Sequence, residues 1–124
     1  MKTYNEWFLQ ADYDLKTAEA MFETGRYFYA VFMCHLAIEK CLKGLYSKTL
    51  NDLPPKTHNL IYLLEKISIQ PPENIFQVIY SLNSQSVATR YPEELHKILK
   101  DYTKEKSLEI IIKSKEVLQW LKKN

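Results

Sequence analysis

Apolar residues recur in steps of four and three through the first part of the chain, in two runs separated by a short link centred on Gly25. Tyr4, Phe8, Ala11, Leu15, Ala18 and Phe22 form the first run, and Tyr27, Val31, Cys34, Ile38, Cys41 and Leu45 the second. Side chains three and four apart share one face of an α-helix, so each run is an apolar stripe. The spacing predicts helices over about Tyr4 to Glu23 and Arg26 to Thr49. Gly25 suits the left-handed residue that closes a helix. A link this short turns the two helices into an antiparallel hairpin.

The remainder follows the same logic in shorter pieces. Asn51 through Thr57 reads as a loop around Pro54-Pro55. Thr57 is expected to cap a helix carrying Leu60, Leu63, Leu64 and Ile67. Pro71-Pro72 ends that unit, with Pro72 in the first turn of the next helix. There Ile75, Ile79 and Leu82 share a face, with Phe76 beside it. The helix should fail at Asn83-Ser84-Gln85-Ser86, whose side chains compete for backbone hydrogen bonds. Pro92 disfavours helical geometry at Tyr91 and can begin a short helix to Asp101. A last helix is expected from about Thr103 to Leu121, with Leu108, Ile111, Ile112, Leu118 and Leu121 toward the core. No strand alternation or internal repeat competes. The expected fold is all-α, an up-and-down bundle of four or five helices, with residues 1–124 as one domain.

Composition removes several classes of function. The chain is 46% hydrophobic and 26% charged, a globular balance. A net charge of +2 gives no electrostatic case for nucleic acid by itself. Arg26 and Arg90 are the only arginines, which singles them out, since arginine is the residue suited to bidentate phosphate contact. Cys34 and Cys41, on one helix, lie about 10 Å apart along its axis, beyond disulfide reach. Buried, reduced thiols are expected, which agrees with a cytoplasmic location. The N-terminal segment, with Asp12 and Asp14, does not read as a signal peptide. No apolar run approaches the roughly 20 residues that span a membrane. Three scattered histidines without a carboxylate cluster give no metal site, and no cofactor motif is present.

Several residues are left over by the periodicity. His35, Glu39 and Lys43 lie at i, i+4 and i+8, one stripe of the second helix, either a solvated salt-bridge row or a functional one. Trp7 reads as a core or dimer anchor. His58 stands at a helix start, exposed, in a cap, or as a ligand contact. Arg90-Tyr91-Pro92 lies in a forced extended loop, where Arg90 either ties the loop to Glu39 or meets a ligand. Arg90 with His96 pairs a phosphate-neutralising cation with a proton-transfer group.

These pieces carry a resemblance. The segments Trp7-Phe8-Leu9-Gln10-Ala11-Asp12-Tyr13-Asp14-Leu15-Lys16-Thr17-Ala18, Gly25-Arg26-Tyr27-Phe28-Tyr29-Ala30, His35-Leu36-Ala37-Ile38-Glu39-Lys40-Cys41-Leu42-Lys43-Gly44-Leu45, Thr57-His58-Asn59-Leu60 and Thr89-Arg90-Tyr91-Pro92 occur in an order and spacing similar to HEPN domains (higher-eukaryote and prokaryote nucleotide-binding), in particular the small stand-alone prokaryotic kind. The resemblance implies a helical bundle that forms a homodimer, and a minimal nucleotidyltransferase as partner protein, often in a toxin–antitoxin pair. Many such domains are metal-independent ribonucleases, with an arginine, a polar residue after it and a histidine several residues on. Here Arg90 and His96 match those two positions, while Tyr91 and Pro92 depart from the small polar residue that the nuclease pattern prefers.

Three functions follow in order of preference. The first is a module that binds a nucleotide or a nucleotidyltransferase partner through His35, Glu39, Lys43, His58, Arg90 and Tyr91. The second is a metal-independent endoribonuclease using Arg90 and His96 as catalytic residues. The third is a structural dimeric subunit.

Overall fold

Thr3 opens the first helix with a reciprocal cap: its hydroxyl accepts from the Glu6 amide at 3.2 Å, and the Glu6 carboxylate accepts from the Thr3 amide at 2.7 Å. The computed structural model describes residues 3–85 and 95–124. Helix α1 covers Tyr4–Glu23 and α2 covers Tyr27–Leu50, within one residue of the bounds that the apolar steps give. Between them Gly25 adopts φ +79°, the left-handed turn expected of it. Asn51, also left-handed, closes α2.

Helix α3 covers Leu60–Ile67, α4 Glu73–Ser84, α5 Leu95–Asp101 and α6 Lys104–Lys122. Asn59, not Thr57, caps α3, its side chain accepting from the Tyr62 amide at 3.0 Å. Thr57 acts one step earlier, its hydroxyl accepting from the Asn59 amide at 3.0 Å and shaping the turn into the helix. Pro72 likewise stands just outside α4, extended at ψ 158°, instead of within its first turn. The amide-rich run ends α4 at Ser84, as its chemistry predicts. The expected start of α5 at Pro92 lies outside the described residues. The described residues thus form six helices and no strand, the all-α bundle expected.

Helix α2 is the hub and packs against α1, α3, α4, α5 and α6. Its Val31, Ile38, Leu42 and Leu45 meet Leu60 and Leu63 of α3, Ile79 and Leu82 of α4, and Val117 and Leu121 of α6 in the main core. Ala18, Ala30, Cys34 and Ile111 form a smaller cluster between α1, α2 and α6. Cys34 and Cys41 are free thiols with no exposed surface, and burial pushes each up to about 12. The stripe that α6 buries is Ser107, Ile111, Ser114, Val117, Leu118 and Leu121. Leu108 and Ile112, expected inside, are 43% and 50% exposed. Two small serines occupy the stepped positions that the sequence reading gave to larger residues, and they let α6 lie close to the hairpin.

Gly44 sets the approach of α1 to α2. A methyl group there would sit 2.7 Å from a Phe8 ring carbon and 3.0 Å from the Trp7 Cβ. Both side chains come from the first turns of α1, so the glycine brings that end of α1 onto the stripe that carries Lys43.

Candidate functional site

The stripe of α2 that faces the start of α3 is polar and buried. His35 and Glu39 are 2% and 4% exposed. A carboxylate does not stay in such a place without partners, and Glu39 has two. Lys43, one turn on, donates to Oε2 at 3.1 Å, and His58, from the loop before α3, donates from Nδ1 to Oε1 at 2.7 Å. The Lys43 ammonium also lies 6.0 Å from the centre of the Trp7 ring, within cation–π range. The salt-bridge row foreseen between Glu39 and Lys43 exists, but it is interior and it recruits a residue 19 positions away.

His35 faces the same loop. Its Nε2 donates to the His58 carbonyl at 3.1 Å, while Glu39 Oε1 lies 3.8 Å from the same nitrogen, beyond hydrogen-bond range. Both histidines bond to oxygens that only accept, which places the protons on His35 Nε2 and His58 Nδ1. Burial, the dominant influence, lowers the His35 pKa below its usual 6.5, against the opposing pull of the His58 carbonyl, of Glu39 and, least, of the Leu82 backbone. His35 is therefore a neutral core imidazole, with no face offered to solvent.

His58 is different. Its side chain is 55% exposed although one nitrogen is held by a buried carboxylate. Nδ1 is engaged, so Nε2 on the far edge of the ring is left for outside chemistry: a lone pair when the ring is neutral, an N–H donor when it is charged. The loop beneath is fixed from a third side. Asn83, near the end of α4, accepts from the Leu60 amide at 2.8 Å, and its side-chain nitrogen donates to Asn59 at 3.3 Å. Sequence reasoning passed over both asparagines. The signal lay in their chemistry, a cap residue just after His58 and an amide at a helix end.

Of the sequence candidates, His35, Glu39, Lys43 and His58 come together. His96 stands near the start of α5 with its side chain exposed. Arg90 and Tyr91 lie outside the described residues. Among the described residues no three His, Cys, Asp or Glu side chains gather as metal ligands, and no helix is long and apolar enough to cross a membrane.

The model of the HEPN domain matches residues 4–124. The chain belongs to the HEPN domain family. Two solved structures share the fold of this HEPN domain. The archaeal HEPN homologue ST0689 is 27% identical, with a TM-score of 0.76 over 98% of this chain and 97% of that one. TT1696 from Thermus thermophilus, 23% identical, superposes with a TM-score of 0.83 over 99% of this chain and 98% of that one. No curated protein matches.

Proposed function

We propose that this HEPN domain is a nucleotide-binding module, that His58 and Arg90 meet the phosphates, and that it works beside a nucleotidyltransferase-type partner protein in a toxin–antitoxin-like pair. The observation that carries the reading is the half-exposed His58 ring anchored on the buried Glu39 carboxylate. Lys43 neutralises Glu39, so the pair presents little net charge of its own, and the outward Nε2, an N–H donor once the ring is protonated, is the group left to face an anion. Arg90 enters from the resemblance, as the arginine of the family's loop, and Tyr91 beside it supplies an aromatic face for a base. His35, buried as it is, has no place against the ligand.

The test is ADP binding by wild type, Arg90→Ala, Arg90→Lys and His58→Ala at two salt concentrations. Losing a charge-assisted contact should weaken binding by about 1.5–3 kcal/mol in the alanine variants, and lysine should restore only part of that at position 90. Equal affinity in all four proteins, with a lower melting temperature for Arg90→Ala, would assign Arg90 to structure and end the proposal. Cleavage of a short RNA that persists in EDTA and disappears in Arg90→Ala would favour the ribonuclease reading through Arg90 and His96.

A homodimer belongs to the same proposal. Tyr29, Leu108 and Ile112 are 55%, 43% and 50% exposed, and Leu9 and Tyr13 of α1 are 69% and 72% exposed. Trp7, Phe28 and Phe32 are half-buried within the bundle, so the apolar surface for a partner copy comes from these other residues. Light scattering at micromolar concentration should give twice the monomer mass.

A further inference from the structure

We infer that His35 is a positioning residue: it meets no ligand, and it sets the aim of the His58 ring by holding that residue's backbone. The inference rests on the binding role proposed for His58 and adds how that role is prepared. Residues 51–59 form no helix, so the main chain at residue 58 is held only by what reaches it. The Nε2–H of His35 takes the His58 carbonyl at 3.1 Å, and Glu39, one helical turn further along α2, takes the His58 ring at 2.7 Å. Successive turns about 5.4 Å apart on one rigid helix thus grip the backbone and the side chain of the same residue. With both ends fixed, the ring has one direction left, Nε2 outward.

The choice of residue type agrees. Position 35 has 2% exposure and lies beside the main core, where an aliphatic side chain would pack without the desolvation cost of an imidazole. A histidine that stays neutral in the core keeps a single N–H, and that N–H goes to the His58 carbonyl. The second ring nitrogen makes no hydrogen bond of acceptable geometry, the Leu82 backbone exerting only the weakest pull on the ring, so packing alone gives no reason for a polar ring. Burial keeps the residue in that one-donor form.

The experiment reads tautomers by long-range nitrogen–proton NMR on the full chain labelled at its three histidines, above the ordinary histidine titration range and without ligand. In wild type, His35 should be the Nε2–H form and His58 the Nδ1–H form, the minority tautomer of a free histidine side chain. His35→Gln, whose amide reaches about as far as Nε2, should keep His58 as Nδ1–H. His35→Leu, or His35→Asn with its shorter amide if the leucine variant does not fold, should let His58 average between forms and lower ADP affinity about tenfold, the worth of one hydrogen bond. A wild-type His35 protonated on Nδ1, or a His58 signature unchanged in both donor-loss variants, overturns the inference. Because tautomers are read without nucleotide, a His58 that responds to His35 in a protein that binds no ADP upholds the positioning role and removes the binding role instead.

Discussion

Two buried carboxylates sit on the hairpin, and they are solved differently. Asp14 of α1 is 6% exposed and pairs with Lys40 of α2 at 2.7 Å. Glu39, the neighbour of Lys40 in sequence, is 4% exposed and is shared between Lys43 and His58. The first arrangement ties one helix to another and offers little beyond it, since Lys40 itself is only 24% exposed. The second ends in a ring that is more than half exposed and has a free edge. A buried ion pair is often no more stabilising than apolar packing, so retaining one suggests a use besides stability. By that criterion both carboxylates are candidates, and the difference in outward reach leaves Asp14 as a tie between helices and Glu39 as the support of the proposed site.

The strongest way to break this division is Lys40→Met. It strands the Asp14 carboxylate in the interior and should cost about 3 kcal/mol in chemical denaturation, while ADP affinity of the folded protein stays as in wild type. A fall in affinity as well would merge the two regions into one site. Glu39→Gln keeps the shape and removes the charge. Its stability loss should be smaller, about 1–2 kcal/mol, yet it should weaken ADP binding, the reverse of the Lys40→Met pattern. A third test uses pH. His35 is held below its unfolded value of 6.5, so the unfolded chain takes up its proton first as pH falls. The stability that the neutral ring provides is complete above about pH 6.5 and is lost progressively below it. Melting temperature should therefore drop more steeply between pH 7 and 5 in wild type than in His35→Gln. The smallest effect expected is on the thiols between the two regions. Cys34 and Cys41, sealed and pushed up to about 12, should label slowly in the native protein and fully after unfolding.

The hairpin was legible because its information is local. Steps of four and three and one glycine act within a few residues, and α1 begins and ends where they say. Half of the site was legible for the same reason, since Glu39 and Lys43 are one turn apart. What joins them to His58 has no period. It depends on how a loop returns across α2, and no spacing encodes that. The burial of Asp14 carried a signal that went unused: it lies three residues after Ala11 and four before Ala18, on the apolar stripe itself. Leu108 and Ile112 misled in the other direction, because hydrophobicity outweighed the phase shared by Ser107, Ile111 and Ser114. The cap of α3 moved from Thr57 to Asn59 because two residues of comparable capping strength stand two positions apart.

The contacts from the His58 loop to α2 and α4 span 19 to 24 residues of chain, whereas the hairpin closes over Thr24, Gly25 and Arg26. Closing longer loops costs more entropy, so the hairpin can form early and the His58 loop docks late. The same ordering governs the native protein in reverse. Releasing the loop would break only its few hydrogen bonds to His35, Glu39 and Asn83 and leave α1 paired with α2. In the proposed nucleotide-binding role, affinity would scale with the fraction of time the loop is docked. A partner protein that clamps residues 51–59 onto α2 would tighten that affinity without touching the nucleotide.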